Sequence, residues 1–154
     1  MKIKTVNFCN RKKRLFLKYT NNKVYEVHYS ELGLDQKIIN AWVDKETKAM
    51  TAVLMLEDNS EEYLSFDQPL YLRKDPEYML RLHIERVIAD IKMEIKHKKI
   101  SIAYLRDKLQ TSDSQIRRLL DPSNLNKNLT QLYKIADILG LNLKFGMDKE
   151  ALAS

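Results

Sequence analysis

The hydrophobic pattern of the chain changes period near Asp75-Pro76. Upstream, Leu15, Leu17 and Tyr19 alternate with more polar neighbours, and Tyr25, Val27 and Tyr29 do the same after Asn21-Asn22. A period of two lines one face of a strand, so the pair reads as a hairpin, and Asn at both central positions suits a tight type I′ turn with positive φ. A second hairpin runs from Met50 to Leu56, turns at Asp58-Asn59 and returns over Tyr63 to Phe66, while Ile38 to Val43, with the lone Trp42, supplies another strand. With Lys2 to Phe8 added, residues 1 to about 72 read as one small antiparallel sheet of five or six strands.

Downstream the period becomes helical. Asp75 is placed to cap, Pro76 suits the first helical position, and Leu80, Ile84, Val87, Ile88, Ile91 and Ile95 form one stripe of a helix reaching His97, a stripe assigned to packing. Three shorter helices follow. Ser101 caps Ile102 to Leu109; Ser112 caps the next, with Gln115 completing a capping box; Asn128 caps Leu129 to Leu139, stopped by Gly140 in the left-handed conformation. Leu141, Leu143 and Phe145 alternate as a short final strand. The fold class expected is α+β, an antiparallel β-domain over 1–74, a connecting helix over 75–98, an all-helical domain over 99–146 and a polar tail over 147–154.

Helices 102–109 and 113–120 are joined by Gln110-Thr111-Ser112, a connection of helix-turn-helix length. Leu105, Leu109, Ile116 and Leu119 then face inward, and Asp113, Ser114, Arg117 and Arg118 outward. Together with Leu129-Thr-Gln-Leu-Tyr-Lys-Ile-Ala-Asp-Ile-Leu-Gly-Leu-Asn-Leu, this arrangement resembles the phage-repressor (XRE/Cro-like) helix-turn-helix family over residues 100–145. The best match is Leu132 to Leu143 with Ser112-x-x-x-Ile116-x-x-Leu119-Leu120. Arg118-Leu-Leu-Asp-Pro-x-Asn124 is similar to a subgroup of short bacterial regulators and antitoxins, and the β-domain has a faint similarity to small bacterial domains of unknown function. Two positions depart from the family pattern: Arg106 stands where a small alanine lets the helices approach, and Gln110 where a glycine makes the turn.

Charge adds to this picture. The chain is +6 overall, and residues 76–145 hold 13 Lys and Arg against 8 carboxylates, whereas residues 1–75 hold 13 against 11. A basic surplus concentrated on the helical part favours nucleic acid. The resemblance implies sequence-specific double-stranded DNA binding by a transcriptional repressor or antitoxin-type autoregulator. Ser112, Asp113 and Ser114 would open the recognition helix, Arg118 would read guanine, Arg117 would hold phosphate, and Asn126, Lys127 and Asn128 would hold the backbone. The plainer alternative pairs Arg117 and Arg118 with Asp113 or Asp121 as a solvated face. A protein-interaction module that keeps the fold without DNA binding is the second reading, and RNA binding the third.

One recognition helix reads few base pairs, so a homodimer is expected, joined through the β-domain or, second, through the strand 141–145. A toxin-like protein partner fits the antitoxin reading. Catalysis has little to work with: His28, His83 and His97 lack zinc spacing, Cys9 has no histidine near it, Asp58, Glu61 and Glu62 sit at a hairpin tip, and Gly33, Gly140 and Gly146 form no phosphate loop. No enzyme activity, cofactor or metal is expected. Without a membrane-length apolar run or a signal-like N-terminus, a cytoplasmic location is expected.

Overall fold

A computed structural model describes residues 1–144. The chain is α+β, and the described residues divide into two compact units, the first over 1–79 and the second beginning at Leu80. The first holds β1 (Ile3–Cys9), β2 (Arg14–Tyr19), β3 (Val24–His28), β4 (Ile38–Val43), β5 (Thr51–Leu56), β6 (Glu61–Ser65) and the short helix α1 (Gln68–Leu72). These strands form two three-stranded antiparallel sheets, β1-β2-β3 and β4-β5-β6, and not the single sheet expected. A 3-10 turn at Tyr29–Leu32, ended by Gly33 at φ 69°, separates them.

Each sheet is a meander, and the two share one core: Leu15, Leu17, Tyr19 and Val27 from one, Ile38, Ala52, Leu54, Leu56 and Leu64 from the other. The alternation of β2 puts its buried side chains on one face, in register with Val27 and Tyr25 of β3. Asn10 fastens the sheets, its carboxamide mimicking a strand's peptide group. Its Nδ2 donates to the Ile38 carbonyl (2.8 Å), and its Oδ1 accepts from Ile38 N (3.0 Å) and the Tyr29 hydroxyl (2.9 Å). The β2–β3 turn differs from the expected type I′. Tyr19 N donates to Lys23 O and Asn22 N to Tyr19 O, both 2.9 Å, enclosing the three residues Thr20 to Asn22 with only Asn22 at positive φ (64°). The β5–β6 loop repeats this geometry with Asn59 at φ 66°.

Helix α2 (Pro76–His97) begins in the first unit and continues in the second. Asp75 caps it, Oδ1 accepting from Tyr78 N at 2.9 Å. The same carboxylate accepts from Lys23 Nζ at 2.9 Å and from the Tyr25 hydroxyl, at 2% exposure the only buried charged residue among those described. Burial alone would raise its pKa, but the bonds from Tyr25, Tyr78 and Lys23 prevail and hold it at about 2.

The second unit adds α3 (Ile102–Leu109), α4 (Asp113–Leu119) and α5 (Leu129–Leu139). Ile84, Ile88 and Ile91 of α2 meet Leu105, Leu109, Ile116, Leu119, Leu132, Ile135 and Leu139 in its core. Leu80, read as part of the stripe, is instead exposed. Ser101, Ser112 and Asn128 cap their helices through bonds from Tyr104 N, Gln115 N and Gln131 N, although the Gln115 side chain does not return the bond a capping box requires. Residues 141–144 form no strand: Leu141 and Leu143 pack against the helical core, which satisfies them without a sheet, and Phe145 lies outside the described residues.

Candidate nucleic-acid interface

The connection between α3 and α4 turns on a residue not built for it. Gln110 adopts φ 50° and ψ 51°, and its N–H and that of Thr111 return to carbonyls of the last turn of α3, Thr111 N reaching Arg106 O at 3.1 Å. Glutamine thus makes the left-handed closure that glycine makes more cheaply. Arg106 is partly buried, and its guanidinium pairs with the exposed Asp107 (Nε to Oδ1, 2.8 Å) and Asp113 (Nη1 to Oδ1, 3.5 Å). Both departures are therefore accommodated: α3 and α4 still pack through Leu105, Leu109, Ile116 and Leu119, all buried.

The acids beside the arginine pair are occupied elsewhere. Asp113 faces Arg106, and Asp121 Oδ1 accepts from Ser123 N (2.9 Å) and Oγ (2.8 Å), bonds that lower its pKa. Arg117 and Arg118 are exposed and form no ion pair among the described residues. Their expected partners thus do not take them. Ser112 and Ser114 share a hydroxyl–hydroxyl bond of 2.9 Å at the start of α4.

Arg118 borders a groove of about 360 Å³ between α4 and the start of α5. Carboxamides dominate its wall: Gln115, Asn124, Asn126, Asn128 and Gln131. Of these, Gln115, Asn124 and Gln131 are not assigned to the interface by the sequence, which marks Gln115 only as a capping residue, although it stands one turn before Arg118 on the same helix face, a spacing that could have found it. Gln131 Oε1 is buried without a hydrogen-bond partner among the described residues.

Lys127 has a different occupation from the phosphate contact expected of it. Its Nζ donates to the carbonyls of Arg118 (3.2 Å), Leu119 (2.7 Å) and Asp121 (2.5 Å), closing the C-terminal end of α4. Burial depresses its pKa, with the Asp121 charge acting in the opposite direction. Its three protons are thus committed inside the protein, and it positions the Arg118 segment. Asn128 likewise uses its side-chain oxygen as the α5 cap, whereas Asn126 is exposed at the groove rim.

Elsewhere the candidate chemistry is dispersed. His28 Nδ1 lies 2.7 Å from Ser30 Oγ in the cap of the 3-10 turn, and His97 lies beside Glu94 at 3.6 Å. Among the described residues no cluster of His, Cys, Asp and Glu is arranged to hold a metal ion, and no helix is long and apolar enough to cross a membrane. No family model, no curated protein and no solved structure matches this chain.

Proposed function

We propose that the helical unit binds double-stranded DNA in the manner of a phage-repressor-like helix-turn-helix, with α4 as the recognition helix, and that the protein acts as a transcriptional repressor or antitoxin-type autoregulator. The observation that carries this reading is the unpaired state of Arg117 and Arg118 beside acids engaged elsewhere. The plainer solvated-face reading pairs these arginines with Asp113 or Asp121, and neither acid takes them. Arg118 offers a bidentate fork for guanine O6 and N7, Arg117 a phosphate contact, and the carboxamides around Gln131 supply donors and acceptors for base edges. The exposed start of α5 at Asn128 offers backbone N–H groups to a phosphate.

A homodimer belongs to the same proposal, since one α4 spans few base pairs. The absence of a strand over 141–144 leaves the β-domain edges as the candidate seam. The test is duplex binding across a salt series. The logarithm of affinity should fall with the logarithm of salt by several units of slope, and Arg118→Ala should weaken binding by about 1–3 kcal/mol and relax sequence preference. A flat salt response would instead favour the interaction-module reading.

A further inference from the structure

The outer face of β4-β5-β6 carries a row that the core does not use. Trp42, Val53 and Tyr63 stand directly opposite one another across three strands, Trp42 paired with Val53 and Val53 with Tyr63. Side chains in register on neighbouring strands share a face, so the two aromatics flank a buried valine. Tyr63 is 63% exposed. Around them lies a groove of about 520 Å³ whose remaining wall includes Asp44, Glu46 and Glu61, against one lysine, Lys45.

Two of the carboxylates are held in place. Asp44 Oδ1 accepts from Glu46 N at 2.8 Å, and the Tyr63 hydroxyl donates to Glu61 Oε2 at 2.5 Å. That bond, with the Glu61 and Asp44 charges behind it, raises the Tyr63 phenol above its ordinary pKa, a sign of the negative field at the ring. On a chain that is +6 overall, the groove itself is lined by three carboxylates and one lysine, a local excess of negative charge.

We propose that this groove docks a basic segment of a protein partner, seating an arginine or lysine side chain between Trp42 and Tyr63 with Asp44, Glu46 and Glu61 around its charge. The negative faces of two aromatic rings and three carboxylates attract one kind of group, a cation, and the apolar floor at Val53 suits the methylene stem beneath it. Nucleic acid and anionic membrane are repelled by the same carboxylates. A metal ion is not favoured either, because no metal-holding cluster forms among the described residues.

Trp42, the only tryptophan, reports directly on the groove. The full-length protein is titrated with a short arginine-rich peptide lacking aromatic residues, and with a glutamate-rich peptide of equal length. The arginine-rich peptide should change Trp42 emission saturably and more weakly in high salt, and the acidic peptide should not. The double variant Glu46→Gln, Glu61→Gln and the single variant Tyr63→Ala should each bind roughly fivefold or more weakly, with unchanged circular dichroism. An emission change that is absent, that the acidic peptide reproduces, or that survives both variants at equal affinity overturns the proposal. So does a saturable change of Trp42 emission produced by duplex DNA alone. Because these variants lie outside the helical unit, duplex binding should be unaltered in them.

Discussion

The two units hold comparable cores by opposite means. In the first, polar side chains reach across long stretches of sequence: Tyr19 to the Phe66 carbonyl (2.7 Å), Asn10 to Ile38, Lys23 and Tyr25 to Asp75, Arg73 to Glu31 and to the Glu26 carbonyl. In the second, polar bonds stay near helix ends, as in the three N-terminal caps, the Lys127 ammonium on α4 and Lys98 Nζ on the Leu139 carbonyl (2.5 Å). Strands joined by loops need long-range fasteners, whereas helices satisfy their own backbones and need only their ends closed. The lesson concerns function as well as folding. A unit that consumes few of its charged side chains in cross-links leaves more of them, Arg117 and Arg118 among them, facing outward.

The largest effect that can sharpen this contrast should come from Leu132→Ala. Leu132 is fully buried in the helical core, and truncation should cost about 2–5 kcal/mol. Denaturation followed by circular dichroism should report the loss, while Trp42 emission, which reports the first unit, should keep its midpoint. A parallel shift of both probes would show the units unfolding as one and would break the comparison.

Asp75→Asn should follow, at about 2–3 kcal/mol, because a buried carboxylate loses its charge-assisted bonds to Lys23 and Tyr25. The pH dependence has a definite sign. The folded-state pKa of about 2 lies below the unfolded value, so the stabilisation is complete above about pH 5 and is lost as pH falls towards 2. Glu31, brought to about 2 chiefly by Arg73, acts in the same sense. Urea midpoints of the Trp42 transition should therefore decline less steeply over that window in Asp75→Asn than in the unsubstituted protein.

Lys127→Met should have the smallest effect, about 1 kcal/mol on the helical transition, since the stem remains and only the bonds to the α4 carbonyls are lost. Its effect on duplex affinity should be smaller than that of Arg118→Ala. The reverse order would restore Lys127 as a phosphate ligand.

Legibility in the sequence followed the range of the interaction. The caps at Ser101, Asn128 and Gly140 and the stripe through Ile84, Ile88 and Ile91 are local patterns, and the structure places them where the spacing predicts. How the two sheets are fastened rests on Asn10 meeting Ile38, a contact between distant residues that no periodicity encodes. The same holds for Asp75, readable as a cap from Pro76 beside it but not as the acceptor for Lys23 and Tyr25. At the candidate interface the arginine pair was visible. The engagement of Lys127 and the recruitment of Asn124 and Gln131 to one groove required the loop between α4 and α5 to be folded.

The lysine that closes α4 also sets how surface-labelling experiments must be interpreted. The half-buried Lys127 ammonium must break its bonds to three carbonyls and shed a proton before it can attack an acylating reagent, a cost that opposes its lowered pKa, so Lys127 should label slowly in the free protein, while the exposed Lys134 should label readily. Protection of Lys127 in a complex would then carry no information about contact. A footprint of the proposed DNA complex has to be drawn from lysines that begin reactive, with Lys127 serving as the internal standard for an amine closed from within.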